Sequence, residues 1–256
     1  MDVDGHWIDE PGIGDWWGRA IWALGFAAVH ATEKHQRARA LVGFRMATRA
    51  TSPHLMSMTF AALGAGELLL VAPYENQARR ILLSALEMLA QPPSRSDWPW
   101  PEPRLRYSNG SIPEATMLAG QALGDRSAID LGLGMLKFLV GIETHKDHFS
   151  VTPVGGRGPG ELEPSFDQQP IELAAIAGAS ARAFRITGRS RWLAEVERSW
   201  GWFLGVNDVG VQMFDPNTGA GYDGLQIDGP NFNQGAESTI AMLSTAQHAY
   251  RLGATA

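Results

Sequence analysis

Four junctions in this 256-residue chain carry acids, amides or indoles straight into the start of an apolar, small-residue-rich segment. They read Gly14-Asp15-Trp16-Trp17-Gly18-Arg19, Tyr107-Ser108-Asn109-Gly110-Ser111-Ile112-Pro113-Glu114, Phe166-Asp167-Gln168-Gln169-Pro170-Ile171-Glu172 and Asn231-Phe232-Asn233-Gln234-Gly235-Ala236-Glu237. A quieter fifth is Thr51-Ser52-Pro53-His54. Carboxyl groups transfer protons. Amides both donate and accept, which suits hydroxyl-rich ligands. Indoles offer flat apolar faces with a polar edge. If the segments are helices packed side by side, these groups meet in one polar, aromatic-lined cleft of the kind that holds sugars.

Each cluster also has a plain structural reading. Asp167 stands before a helix and Glu172 in its first turn, where acids cap and offset the helix dipole. Two successive amides, Gln168 and Gln169, exceed what capping needs, so proton transfer and hydroxyl binding are the sharper expectation. Ser111 and Glu114 have the spacing of a capping box; beside Tyr107 and Asn109, Glu114 is also an acid/base candidate. Asn231, Asn233 and Glu237 form an amide-and-acid set around Gly235, which permits close approach of a ligand. Asp223, in the glycine-containing stretch upstream, reads equally as a turn residue or a ligand. Asp15, Trp16 and Arg19 open the first helix; Arg19 either binds a ligand carboxylate or braces the helices. Trp98 and Trp100, in Trp-Pro-Trp-Pro, are either a stacking platform or a buried plug.

The elements that must hold these groups are helices. Apolar residues recur three and four apart, as in Leu133, Leu136 and Val140. The pattern predicts helices over 15–31, 34–50, 53–70, 75–91, 111–123, 126–143, 169–187, 190–205 and 234–252, with a short strand or hairpin edge at 148–152. Ser52-Pro53 and Pro170 are start signals, and Gly124-Asp125 and Thr187-Gly188 are stops. Very short connections pair the helices as antiparallel neighbours, while loops 92–110, 144–168 and 206–233 are long. Odd-numbered helices then run one way and even ones return. The expected fold is all-α: a single α/α-toroid domain over 1–256, an incomplete six-hairpin barrel of about nine helices in an inner and an outer ring. The inner helices should be the richer in small residues.

Composition sets the outer bounds. The chain is 45% hydrophobic and 19% charged with a net charge of −6, as expected of a globular protein. The cationic run Lys34, Arg37, Arg39, Arg45 and Arg49 reads as one solvated helix face, and no nucleic-acid partner is expected. Without cysteine there is no disulfide or thiol chemistry. No run is long and apolar enough to span a membrane. No basic, then apolar, leader is seen, so a cytoplasmic location is expected. Six of the nine tryptophans (Trp7, Trp16, Trp17, Trp22, Trp98 and Trp100) fall near the cleft loops; Trp192, Trp200 and Trp202 suit core packing. The glycine-rich Gly155–Gly160 lacks the phosphate-loop pattern and reads as a cleft loop. The histidines show no metal-ligand spacing, so no metal or other cofactor is expected.

Four ordered motifs, Gly18-Arg19-Ala20-Ile21-Trp22-Ala23-Leu24-Gly25, Trp98-Pro99-Trp100 with Tyr107-x-Asn109-x-x-x-Pro113-Glu114-Ala115, Phe166–Glu172, and Asp223-Gly224-Leu225 with Asn233–Thr239, resemble the α/α-toroid domain found beside bacterial glycosyltransferases. That domain is similar to six-hairpin glycosidases. The resemblance implies a saccharide ligand, acid/base carboxylates at inner-helix N-termini and a glycosyltransferase partner; with nine helices where a full six-hairpin ring has twelve, either the ring is open, or helices are missing from this chain, or self-association closes the gap. This chain differs in carrying Ser108 and Phe232 where such relatives carry acids. Three readings follow in order: a glycoside hydrolase-like protein using Asp167, Glu172, Glu237 or Glu114; a non-catalytic saccharide-binding or scaffold domain; and a sugar epimerase or isomerase. The last ranks third because that chemistry favours histidine, and only His54 stands near an inner-helix start.

Overall fold

The computed structural model describes residues 3–6, 10, 12–90 and 97–253. The expectation for Trp7 as a cleft residue lies outside them. Among the described residues there are nine helices: α1 Asp15–His30, α2 Lys34–Ala47, α3 Leu55–Val71, α4 Asn76–Leu89, α5 Ser111–Leu123, α6 Arg126–Ile142, α7 Pro170–Thr187, α8 Arg191–Phe203 and α9 Ala236–Arg251. Two small antiparallel hairpins join them, β1 Thr144–His145 with β2 His148–Phe149 and β3 Gly224–Gln226 with β4 Gly229–Asn231. No helix among these is long and apolar enough to cross a membrane. The chain divides into two compact units, residues 1–89 with 121–125, and residues 90–120 with 126–256.

In the first unit, α1 packs on α2 and α3, and α3 packs on α4. Nearly every residue of α3 from Ser57 to Leu69 is buried, whereas α2 buries only Ala40 and Phe44. The α1–α3 contact is made by glycines. A Cβ on Gly18, Gly25 or Gly64 would collide with the partner helix's backbone at Ser57, Gly64 or Ile21. Trp22 and Phe60 stack beside it, 5.9 Å apart. Gly25→Ala should therefore cost about 1–3 kcal/mol by overpacking. Gly141→Ala, on an open face of α6 with nothing near the new methyl, should add about 0.5–1 kcal/mol. Urea unfolding midpoints with unchanged slope would measure both. The cationic α2 face is solvated as expected: Lys34, Arg39, Arg45 and Arg49 are exposed, and Arg45 pairs with Glu75 at 2.6 Å.

In the second unit, α7 packs on α6, α8 and α9. It is buried almost all round, from Leu173 to Ala183, while α8 buries one stripe that includes Trp192, Val196 and Trp202. Met117, Leu136, Ala179, Ala183 and Trp192 form one core cluster, and Ala181, Val196 and Ala249 another. Small residues are required here too: a Cβ on Gly110 would strike the Ala175 backbone. Gly188 ends α7 at φ +65, its N–H on the Phe184 carbonyl at 2.7 Å, so the predicted stop is a left-handed cap.

Two predicted starts shift. Ser111 lies inside the first turn of α5, because the Gly110 carbonyl already accepts the Glu114 N–H (3.3 Å). The capping box gives way to a Ser111–Ser108 hydroxyl bond of 2.9 Å and a Glu114–Arg182 ion pair of 3.4 Å. At α3, the helix begins at Leu55. The Ser52 hydroxyl accepts the His54 N–H and donates to the Ile13 carbonyl, which makes Ser52-Pro53 a turn before the helix.

Candidate functional site

The second unit gathers two of the four acid-bearing junctions at one place. Pro170 opens α7 with a fixed φ suited to the first turn. The residue before it, Gln169, is the extended N-cap, and no side chain caps the helix. The preceding strand-like segment is pinned on both sides. Gln168 N–H donates to the Leu225 carbonyl (3.0 Å), the Leu225 N–H returns to Gln168 (2.8 Å), and Val154 N–H donates to the Asp167 carbonyl (2.9 Å). The Leu225 contact brings β3 alongside, and with it Asp223 and Gly224. A Cβ at Gly224 would collide with Asp167 Oδ1, so glycine is what lets this carboxylate lie against the β3 backbone.

Asp223 organises the start of α9. Its Oδ1 accepts the Gly235 N–H at 2.7 Å and the Ser238 hydroxyl at 2.6 Å, and its Oδ2 accepts the Asn233 side-chain amide. Asn231 Oδ1 takes the Asn233 N–H at 3.1 Å. The result is a cleft of about 270 Å³ lined by Gln169, Pro170, Ile171, Asp223, Gly235, Ala236, Glu237 and Ser238. Glu237 stands exposed in the first turn of α9.

The two aspartates are driven apart electrostatically. Burial, and then the charge of Asp223, raise the Asp167 carboxyl above its usual range. Its Oδ1 is buried with no hydrogen-bond partner among the described residues. Burial works to raise Asp223 as well, but the donors from Ser238, Gly235 and Asn233 outweigh it and hold Asp223 below the usual range. One carboxyl is thus biased toward its acid form and its neighbour toward its ionised form.

No protein-family profile matches the chain, and no curated protein sequence does. Solved structures do share the architecture. A sugar epimerase from a ruminal bacterium superposes with a TM-score of 0.66 at 12% identity, over 93% of this chain and 71% of that one. The Lin0763 protein from Listeria innocua gives 0.56 at 10% identity, over 95% and 86%. A D-mannose isomerase gives 0.45 at 13%, over 92% and 86%. The fold class is the all-α, α/α-toroid kind expected from the sequence.

The remaining predicted site residues are engaged elsewhere. Glu172 is 2% exposed and turned into the protein. It accepts the Ser108 N–H, the Asn109 N–H (3.0 Å) and the Asn109 side-chain amide (2.9 Å). Asn109, 1% exposed, also accepts the Arg106 N–H at 3.0 Å, so its amide is occupied. Gln168 is fully buried, its side-chain amide directed inward. Glu114 pairs with Arg182 and lies against Gly178, where a Cβ would meet its carboxylate. Trp98 and Trp100 are 2% and 1% exposed and pack on Phe138, with the Trp98 indole bonded to the Glu102 carbonyl; this is the packing of a plug. In the first unit, Asp15 accepts the Ser57 hydroxyl at 3.1 Å, Trp16 is 68% exposed, and Arg19 lies over the Phe60 ring at 4.6 Å.

The motif reading passed over Glu143 and Arg157. Both are buried. Glu143 Oε1 accepts the Thr152 N–H (3.1 Å) and hydroxyl, while its Oε2 is buried without a partner among the described residues. Arg157 donates to the Ser150 carbonyl at 3.0 Å. A signal existed for Glu143: an acid at the C-terminal end of apolar α6 runs against the helix dipole and calls for a reason. Among the described residues, no three His, Cys, Asp or Glu side chains gather as a metal site would require.

Proposed function

We propose that this protein is carbohydrate-active, that the Asp223–Glu237 cleft binds a saccharide, and that Asp167 moves a proton on it in an isomerisation or epimerisation. The observation that carries this is the contrast between two neighbouring carboxyls: Asp167 lies against Gly224 with a buried, unpartnered Oδ1, Asp223 is held by three donors, and the two are biased in opposite directions accordingly. Such a split assigns separate proton roles to two like groups. Isomerisation removes a proton from the carbon beside a sugar carbonyl and returns it to a neighbouring carbon. The group that does so works best with its pKa brought toward the working pH. A carboxyl raised above its usual range moves in that direction without histidine. Asp223, kept ionised, is suited to accept sugar hydroxyls, and Gln169 adds an amide at the cleft wall.

The fold shared with a sugar epimerase supports this reaction, although a fold alone fixes no activity and the residues must carry it. Glycoside hydrolysis is the second reading, and the same pair favours it: a carboxyl biased toward its acid form to protonate the leaving oxygen and a partner biased toward its ionised form. The test is proton NMR in D₂O with a panel of unmodified aldoses and ketoses, run beside aryl glycosides. Deuterium entering at C2 of a new epimer, or at C1 of a new ketose, is the expected result. Released aglycone without C2 exchange would select hydrolysis. Absence of both signals would overturn this reading.

A further inference from the structure

Behind the proposed site runs a polar chain with no exposed carboxylate at its centre. Gln168 Nε2 donates to Asp208 Oδ2 at 2.6 Å and to the Ser165 carbonyl at 3.1 Å, while Gln168 Oε1 accepts the Trp202 indole N–H at 3.3 Å. The other Asp208 oxygen, Oδ1, faces His148 Nε2 at 2.9 Å. Asp208 and His148 are 5% and 13% exposed, and Gln168 is fully buried. Every polar atom of the Gln168 amide is therefore used inside the protein, which removes it as a sugar ligand. Its acceptor is fixed by an indole that can only donate, and its donor by a carboxylate that can only accept while ionised. The amide thus has one orientation.

That orientation matters because of what Gln168 adjoins. Asp167 precedes it and Gln169, in the cleft wall, follows it. Its backbone is paired through both N–H and C=O with Leu225, two residues beyond Asp223. We infer that Gln168, Asp208 and His148 are positioning residues that hold Asp167 against Gly224 and beside Asp223. The inference rests on the proposed role of Asp167. Gln168 sets the segment's position, Asp208 fixes the amide, and His148 fixes Asp208. Holding a reacting group to within an ångström is worth about 10²-fold in rate, and the chain supplies the restraint.

The test uses the full chain with Asp208→Asn and the milder His148→Gln. A side-chain amide in place of the Asp208 carboxylate keeps one acceptor, so it can hold the Gln168 amide only by turning its own NH2 onto His148 Nε2, and the clamp loses its charge-assisted bond. Two readouts are taken on protein shown folded by circular dichroism: steady-state kinetics in the C2-exchange assay, and ¹³C NMR titration of the Asp167 carboxyl. Asp208→Asn is expected to lower kcat about 10²-fold, leave KM within about threefold of wild type and move the Asp167 titration midpoint, with His148→Gln shifting both measures the same way by less. A merely structural role would lower thermal stability but move neither the midpoint nor the kcat–KM split, and that result overturns the inference. Should Asp208→Asn fail to fold, His148→Gln decides by the same two measures. If Asp167→Asn itself leaves turnover intact, the catalytic reading fails; an unmoved carboxyl titration in either folded variant then sinks the positioning inference on its own.

Discussion

Asp167→Asn is expected to lower kcat by about 10²–10⁴-fold, the range for loss of a general acid or base, while the variant is at least as stable as wild type at pH 7. The two halves of that result have one cause. The folded protein raises the Asp167 carboxyl through burial and the nearby charge of Asp223. A raised folded-state value means the group's stabilisation is complete below the unfolded value, about 3.9. It is lost as pH rises through the folded value. At neutral pH the ionised carboxylate therefore works against the fold, and asparagine, nearly the same size, removes that opposition. Thermal melts across pH 4–8 beside kcat measurements check both halves: the gap between variant and wild type should widen with pH in favour of the variant. Gly224→Ala is the companion. Its methyl must displace Asp167, so activity should fall as in Asp167→Asn, but with a loss of stability. Asp223→Asn should also lose stability, since Asp223 is the lowered member and its donors favour the ionised form. A destabilised Asp167→Asn with full activity would show that the carboxyl is structural.

How much of this was legible before the structure follows from the physics of each signal. Helix positions were, because three- and four-residue periodicity and the stop at Gly188 are local properties. The segment Phe166–Glu172 also stood out in the sequence, because two successive amides before a proline exceed what helix capping needs. Which carboxyl is turned inward was not legible. Asp167 and Glu172 differ in burial only through tertiary contacts: one lies against Gly224 of a distant hairpin, the other is swallowed by the turn at Ser108 and Asn109. Trp98 and Trp100 were ambiguous for the same reason, since Phe138 on α6 decides whether an indole is a platform or a plug. Asp208 carried no local signal, lying in an ordinary loop forty residues from the amide it fixes.

The alkaline limit of the fold should lie with Glu143 and Glu172. Both are buried, and burial is the main cause that raises them, Glu143 to about 7 and Glu172 to about 8, the latter also through the charge of Glu143. Unfolded glutamates titrate near 4.3, so their stabilisation is complete below about 4.3. It is lost as pH rises through 7 and 8, with a slope of up to about 1.4 kcal/mol per pH unit for each proton released. Wild-type melting temperature should accordingly fall between pH 6 and 9. Glu143→Gln removes one of the two raised carboxyls, and with it the like charge that adds to burial in raising Glu172, and should make that fall shallower. Glu172→Ala strands the Ser108 and Asn109 N–H groups and the Asn109 amide in the interior, at about 1–3 kcal/mol for each unpaired donor. Those stranded donors should destabilise the variant at every pH, offset only in part if Ser108 relaxes from its left-handed conformation at φ +51. Melts of the three proteins from pH 5 to 9 would decide. If Glu143→Gln declines as steeply as wild type, the pair is not what sets the alkaline limit. If it is shallower while Glu172→Ala is low throughout, Glu172 is a structural carboxyl that holds the head of α5 in place.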